Sequence, residues 1–192
     1  MRTYNEITVA VEERGGKPII SGYAAVFFRQ DEPGTEFELY PGLVERVGPD
    51  AFDRHLSDGA DVRALFNHDS NQPLGRLTAG TLRLEVDKRG LRYEIDAPET
   101  QWGRDVVTSI KRGDVGGSSF GFSVRKVSHQ MGDGFDVRVL EDVELVDVSP
   151  VVFPAYGSTS TQARSVDSDQ IRADHEKWRK VQRRLQEIKD GD

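Results

Sequence analysis

The chain of 192 residues is long enough for one well-packed domain with an appendage and too short for two domains of ordinary size. Its 33 acidic against 26 basic residues give a formal net charge of -7, which disfavours nucleic acid and anionic membranes as partners, and the absence of cysteine removes disulfides, thiol nucleophiles and thiolate metal sites. The start, Met1-Arg2-Thr3-Tyr4-Asn5-Glu6, lacks the apolar core of a signal peptide, and no stretch approaches the roughly 20 apolar residues that span a bilayer, so a soluble cytoplasmic protein is expected.

Ile7, Val9 and Val11 alternate with polar residues, Gly15-Gly16 supplies a turn, and Pro18 to Phe28 is again apolar, which predicts an opening hairpin. Residues 29 to 42 carry turn formers with little periodicity and read as a long surface loop. Pro49 suits the first turn of a helix, and Phe52 and Leu56 then share one face, which predicts a short helix over 49–57. A strand from Val62 to Phe66 leads to His68. Beyond Gln72-Pro73-Leu74-Gly75-Arg76, strands at Thr81 to Val86 and Leu91 to Ile95 are closed by Asp87-Lys88-Arg89-Gly90.

Thr100 is placed as an N-cap, Trp102, Val106 and Ile110 recur every four residues, and Gly113 stands where a left-handed cap belongs, predicting a helix over 101–112. Strands resume at Ser119 to Val127, Phe135 to Leu140 and Val143 to Val148, with Met131-Gly132-Asp133-Gly134 as a turn. About six or seven strands with two inserted helices predict an α+β, mostly β fold: a closed or nearly closed antiparallel β-barrel with short flanking helices.

The small polar stretch Pro154 to Thr161 ends the core, and near 165 the composition changes. Ile171, Trp178, Val181, Leu185 and Ile188 fall on a and d positions of a heptad interrupted by Asp174, which predicts a C-terminal amphipathic helix. About three heptads are marginal alone, so this helix is expected to dock on the barrel or pair with a partner. The expected organisation is a β-barrel domain over 1–157 and a linker with a charged helical tail over 158–192.

Three segments carry chemistry: Leu65-Phe66-Asn67-His68-Asp69, Gly116-Gly117-Ser118-Ser119-Phe120-Gly121-Phe122 and Leu145-Val146-Asp147-Val148-Ser149-Pro150. Together they supply a histidine, a serine and an acid, the groups of a serine hydrolase triad, in which an imidazole takes the hydroxyl proton and a third group holds the imidazole. Taken singly, each has an ordinary structural reading. His68 suits a solvated turn, Ser119 a glycine-kinked strand whose phenylalanines fill the core, and Asp147 an edge-strand acid. Alternation sends Ser118 and Ser119 to opposite faces, so only one of them can meet the histidine. The other histidines, His55, His129 and His175, lie away from any glycine-rich serine turn, and no phosphate loop or tight metal spacing is present, so no cofactor is expected.

In combination the segments resemble the prohead maturation proteases of tailed bacteriophages, a family similar in fold to the herpesvirus assemblin proteases. The resemblance runs over roughly residues 20 to 157, through Gly22-Tyr23-Ala24-Ala25-Val26-Phe27, Gly48-Pro49-Asp50-Ala51-Phe52-Asp53, Pro73-Leu74-Gly75-Arg76 and Val151-Val152-Phe153-Pro154-Ala155-Tyr156 as well as the three segments above. It implies His68 as general base, Ser119 as nucleophile and Asp147 as the residue that orients the histidine. The family more often has methionine where Ser118 stands and glutamate where Asp147 stands, which favours Ser119 over Ser118 and leaves Glu144 as an alternative third member.

The implied activity is that of a serine endopeptidase acting inside the procapsid in the host cytoplasm. It would cut scaffold and major capsid protein segments, and itself, with the tail or the 157–164 loop as a site of recruitment or self-cleavage. Its expected partners are those proteins and a second copy of itself, as a dimer or higher oligomer, with neither nucleic acid nor membrane. The competing class is a non-catalytic scaffold-binding β-barrel protein of the same assembly pathway, in which drift of His68 and Ser119 would be expected.

Overall fold

The structure, a computed structural model, describes residues 9–132, 134–153 and 168–190. Ile7 of the expected first strand, Asp133 of the expected turn, the stretch from Pro154 to Thr161, the 157–164 loop and the beginning of the tail lie outside the described residues.

The first half of the chain forms β1 (Ala10–Arg14), β2 (Lys17–Val26), β3 (Phe37–Tyr40), β4 (Leu43–Val47), α1 (Asp53–Ser57), β5 (Arg63–Phe66) and β6 (Asp69–Arg76). The second half forms β7 (Leu82–Val86), β8 (Gly90–Asp96), α2 (Gln101–Arg112), β9 (Gly117–Met131), β10 (Asp136–Val151) and α3 (Ser168–Asp190). The fold is therefore α+β and mostly β, with a C-terminal helix.

The strands build two open sheets where a closed or nearly closed antiparallel barrel was expected. One sheet is antiparallel with order β1-β2-β8-β7. The other runs β3-β4-β10-β5-β6, with β9 also paired to β10, and it is mixed. Strand β10 is long enough to pair parallel with β4 along its first half, parallel with β5 near Asp147, and antiparallel with β9 along its whole length. The long crossovers from β4 and β5 to β10 allow the parallel pairing, which tight hairpins cannot make.

Alternation along these strands points one side of each sheet into a shared core. Ile20 and Ala24 of β2, Tyr93 and Ile95 of β8, Phe120 of β9, and Leu140, Leu145 and Val148 of β10 all bury there, with Val106 and Ile110 of α2. Full burial of a large apolar side chain among them, such as Ile20, Ile95 or Leu140, contributes about 1.5–3 kcal/mol. Helix α2 has the expected bounds because both ends are chemically specified. The Thr100 hydroxyl accepts the Gly103 N–H at 3.2 Å, and Gly113 takes a left-handed φ of 84° while its N–H closes on Ile110 O.

Other expectations shift. Over 49–52 the chain makes turns with i to i+3 bonds, Ala51 N–H to Gly48 O and Asp53 N–H to Asp50 O, so the expected 49–57 helix shortens to α1. The expected loop over 29–42 contains β3, which folds onto β4 across Pro41-Gly42, with proline first and glycine second at φ 92°, a turn that sets its own hairpin. Strand β6 carries Pro73 and Gly75, which disguise it as a connection, and it can do so because it lies at a sheet edge. The two expected strands at 135–140 and 143–148 are one strand, β10, interrupted by register shifts.

The chain divides into two compact units, Met1–Ser158 and Thr159–Asp192. In the second, α3 forms as the heptad pattern predicts, with the His175 ring stacked on Trp178 at 5.8 Å and Val181, Leu185 and Ile188 exposed. Among the described residues no helix is long and apolar enough to cross a membrane.

Candidate active site

His68 stands on the two-residue connection between β5 and β6. Phe66 pairs with Asp69, and Asn67 and His68 between them both have positive φ, 51° and 59°. This is the mirror-image turn that matches strand twist. Asn tolerates it well, whereas a histidine there costs on the order of 1–2 kcal/mol. Contacts to the end of β10 hold the turn: Asn67 N–H donates to Pro150 O at 3.0 Å, Val152 N–H donates to Asn67 Oδ1 at 3.0 Å, and His68 N–H donates to Ser149 Oγ at 3.3 Å.

Asp147 reaches the same place through a β-bulge. The ladder pairs Leu145 with Phe122 and then Asp147 with Gly121, so Val146 has no partner on β9. Simple alternation from Val143 and Leu145 would turn Asp147 into the core. The extra residue reverses the parity, so Val148 takes the buried core position while Val146 is 54% exposed and Asp147 faces the opposite side with Ser149. There Asp147 Oδ2 accepts the His68 Nδ1–H at 2.7 Å and the Ser149 hydroxyl at 2.7 Å. A carboxylate in this contact only accepts, so Nδ1 carries the proton and Nε2 is the ring nitrogen left to take one.

Across the ladder, Ser119 pairs with Ser149 and Gly121 with Asp147, which puts all four on one face of the β9–β10 pair. The Ser119 side chain makes no hydrogen bond among the described residues. Ser118 faces the other way, fully buried, with its hydroxyl 2.7 Å from Tyr93 OH. Gly22 makes that arrangement possible, because a Cβ there would lie 2.8 Å from Ser118 Oγ. Burial raises the Tyr93 phenol above its ordinary pKa, so Tyr93 and Ser118 stay a neutral core pair.

Glu144 is engaged elsewhere: it pairs with Arg125, whose guanidinium holds the carboxyl below the usual carboxylate range. His55 donates its Nε2–H to Leu145 O, 3.0 Å away, His129 lies opposite Arg138 in the ladder, and His175 is on α3. The sequence reading brought forward His68, Ser119 and Asp147 but missed Ser149, Asn67 and Gly121. Ser149 had a readable signal, standing two residues after Asp147 on the same strand face. The other two act through backbone shape and clearance, which single residue types do not announce.

Beside Asp147 opens a cleft of about 570 Å³ whose walls include Arg63, Leu65, Pro73, Leu74 and Val146. Among the described residues no group of three or more His, Asp or Glu side chains is placed to hold a metal ion. Chemically, an oriented imidazole and a hydroxyl with no hydrogen bond among the described residues, on the same face, suit proton transfer from an attacking serine, as acyl transfer requires.

Comparison with known proteins bears on the same residues. Residues 5–174 match the family described as Caudovirus prohead serine protease, a span that includes His68, Ser119 and Asp147. Neither the curated proteins nor the solved structures compared with the chain give a significant match. On the breadth of that family match, this chain belongs to the caudovirus prohead serine proteases.

Proposed function

We propose that the chain is a serine endopeptidase of procapsid maturation in which Ser119 attacks the peptide carbonyl, His68 takes and returns the proton, and Asp147 holds the imidazole. Membership of the family supports a protease role in capsid maturation and a location within the procapsid. The observation that carries the residue assignment is the 2.7 Å bond from His68 Nδ1–H to Asp147 Oδ2, on the face of the β9–β10 ladder that bears Ser119.

In this mechanism Ser119 Oγ bonds to the carbonyl carbon as its proton passes to His68 Nε2. That proton then goes to the departing amine, and water releases the acyl-enzyme by the same path. Asp147 keeps the bond from Nδ1–H, which stabilises the imidazolium and fixes its tautomer. Substrates are scaffold and capsid-protein segments within the procapsid and the protease itself, cut at extended segments that reach the cleft beside Asp147. Residues 1–157 act as the catalytic domain, and 158–192 as a linker and helical tail that recruits the enzyme to the assembling shell, where a second copy of the chain is a further partner.

A fluorophosphonate probe tests the assignment without knowledge of the cleavage site. Wild type and Ser118→Ala should be labelled and Ser119→Ala should not. Labelling of Ser119→Ala together with loss of labelling in Ser118→Ala would move the nucleophile to Ser118.

A further inference from the structure

We propose that Ser149 is a positioning residue of the site, holding His68 and Asp147 in one geometry; the inference rests on the catalytic reading of His68, Ser119 and Asp147 above. Its hydroxyl joins both residues at once. The His68 backbone N–H donates to Ser149 Oγ at 3.3 Å, Ser149 Oγ donates to Asp147 Oδ2 at 2.7 Å, and Asp147 Oδ2 accepts from His68 Nδ1 at 2.7 Å. The direction of the middle bond follows from chemistry. A backbone N–H only donates, so the hydroxyl accepts there and its own hydrogen turns to the carboxylate.

The result is a cycle of three hydrogen bonds that leaves His68 through its backbone and returns through its ring. Such a cycle restrains the Asp147 carboxylate, the imidazole plane and the strained turn beneath it together. Ser149 is fully buried, so water does not compete for these bonds, and a hydroxyl already donating to a carboxylate is not available as a second nucleophile. Ser149 is also the direct ladder partner of Ser119. One residue therefore ties the strand of the nucleophile to the acid and base, a placement whose loss by about 1 Å costs on the order of 100-fold in rate.

The test compares the rate of labelling by the fluorophosphonate probe in the full chain for wild type, Ser149→Ala, Ser149→Cys, Ser149→Thr, Asp147→Asn and the double variant Asp147→Asn/Ser149→Ala. Thermal melts run alongside. Ser149→Ala and Ser149→Cys, the latter near in volume but a weak donor, should each slow labelling by roughly 10- to 100-fold. Ser149→Thr, which keeps the hydroxyl, should recover most of the rate. In the Asp147→Asn background the further change to alanine should alter the rate less than about twofold, because the positioning acts through Asp147.

Wild-type rates in Ser149→Ala or Ser149→Cys, or the same fold loss in both backgrounds, would overturn the proposal. Failure of the catalytic reading gives a different pattern: no labelling of wild type, or labelling that persists in Ser119→Ala.

Discussion

Asp147 stands directly across the β9–β10 ladder from Gly121, and a Cβ at Gly121 would lie 2.3 Å from Asp147 Oδ1 and 3.2 Å from its Cγ. No side chain fits there without moving the carboxylate. The strand does not need glycine for its backbone conformation at this point; it needs the missing methyl, because the acid lies flat over the neighbouring strand on its way to His68.

Gly121→Ala therefore separates clearance from folding. The substitution should displace the carboxylate from His68 and slow probe labelling by on the order of 100-fold, with a stability loss of about 1–3 kcal/mol from overpacking. Labelling rates and chemical denaturation of the same preparation check it, and a wild-type labelling rate would show that the carboxylate can move without consequence.

Ser118 should behave in the opposite way. Ser118→Ala removes the partner of the fully buried Tyr93 hydroxyl and should cost about 1–3 kcal/mol while leaving the labelling rate within about twofold of wild type. Adding Tyr93→Phe removes the orphaned group and should recover part of that loss, which a double-mutant cycle by urea denaturation measures.

The turn that carries His68 depends on Asn67 twice, through its left-handed backbone and through the bond from Val152 N–H to its Oδ1. Asn67→Gly keeps the backbone preference and loses the bond, whereas Asn67→Ala loses both. The alanine variant should be the less stable by about 1 kcal/mol and the slower to label. Equal melts for the two variants would show that the positive φ carries no measurable strain.

Acid stability has a distinct source on the other sheet. The Glu94 carboxyl bonds Arg14 at 3.0 Å and is approached by Arg92 and Arg83, and these guanidiniums, Arg14 foremost, hold its pKa at about 2, below the ordinary 4.5. A depressed carboxylate stabilises the fold above its unfolded pKa, and that stability disappears as pH falls from about 4.5 through about 2. Glu94→Gln should lose about 1–2 kcal/mol at pH 7 after allowance for screening of its exposed partners. The difference from wild type should shrink as pH falls from about 4.5 and vanish only below about pH 2, as denaturation curves across that range would record.

Much of this architecture is local chemistry and was legible as such. Helix α2 needed only the Thr100 cap, the Trp102, Val106, Ile110 spacing and Gly113, and the hairpins around Gly15-Gly16 and Asp87 to Gly90 needed only alternation and turn residues. Strand β6 was hidden by Pro73 and Gly75, because a proline is acceptable at an edge and nothing in the nearby residues says which strand will be the edge. The parallel pairing of β10 with β4 and β5 was hidden for a related reason: the partners are separated by long stretches of chain and have no shared turn.

The sequence by itself determined the kinds of groups available: no thiol, a histidine after an apolar strand, adjacent serines in a glycine-rich run, an acid inside an apolar strand, and an order of segments that resembles prohead proteases. Only the tertiary structure decided which of them meet. The bulge at Val146 sets the parity that turns Asp147 out of the core, the ladder register sets Ser119 rather than Ser118 on that face, and Ser149 closes the contact between acid and histidine. Side-chain chemistry and periodicity are properties of neighbouring residues, whereas parity and register are set by strands that are distant in sequence and must fit one core.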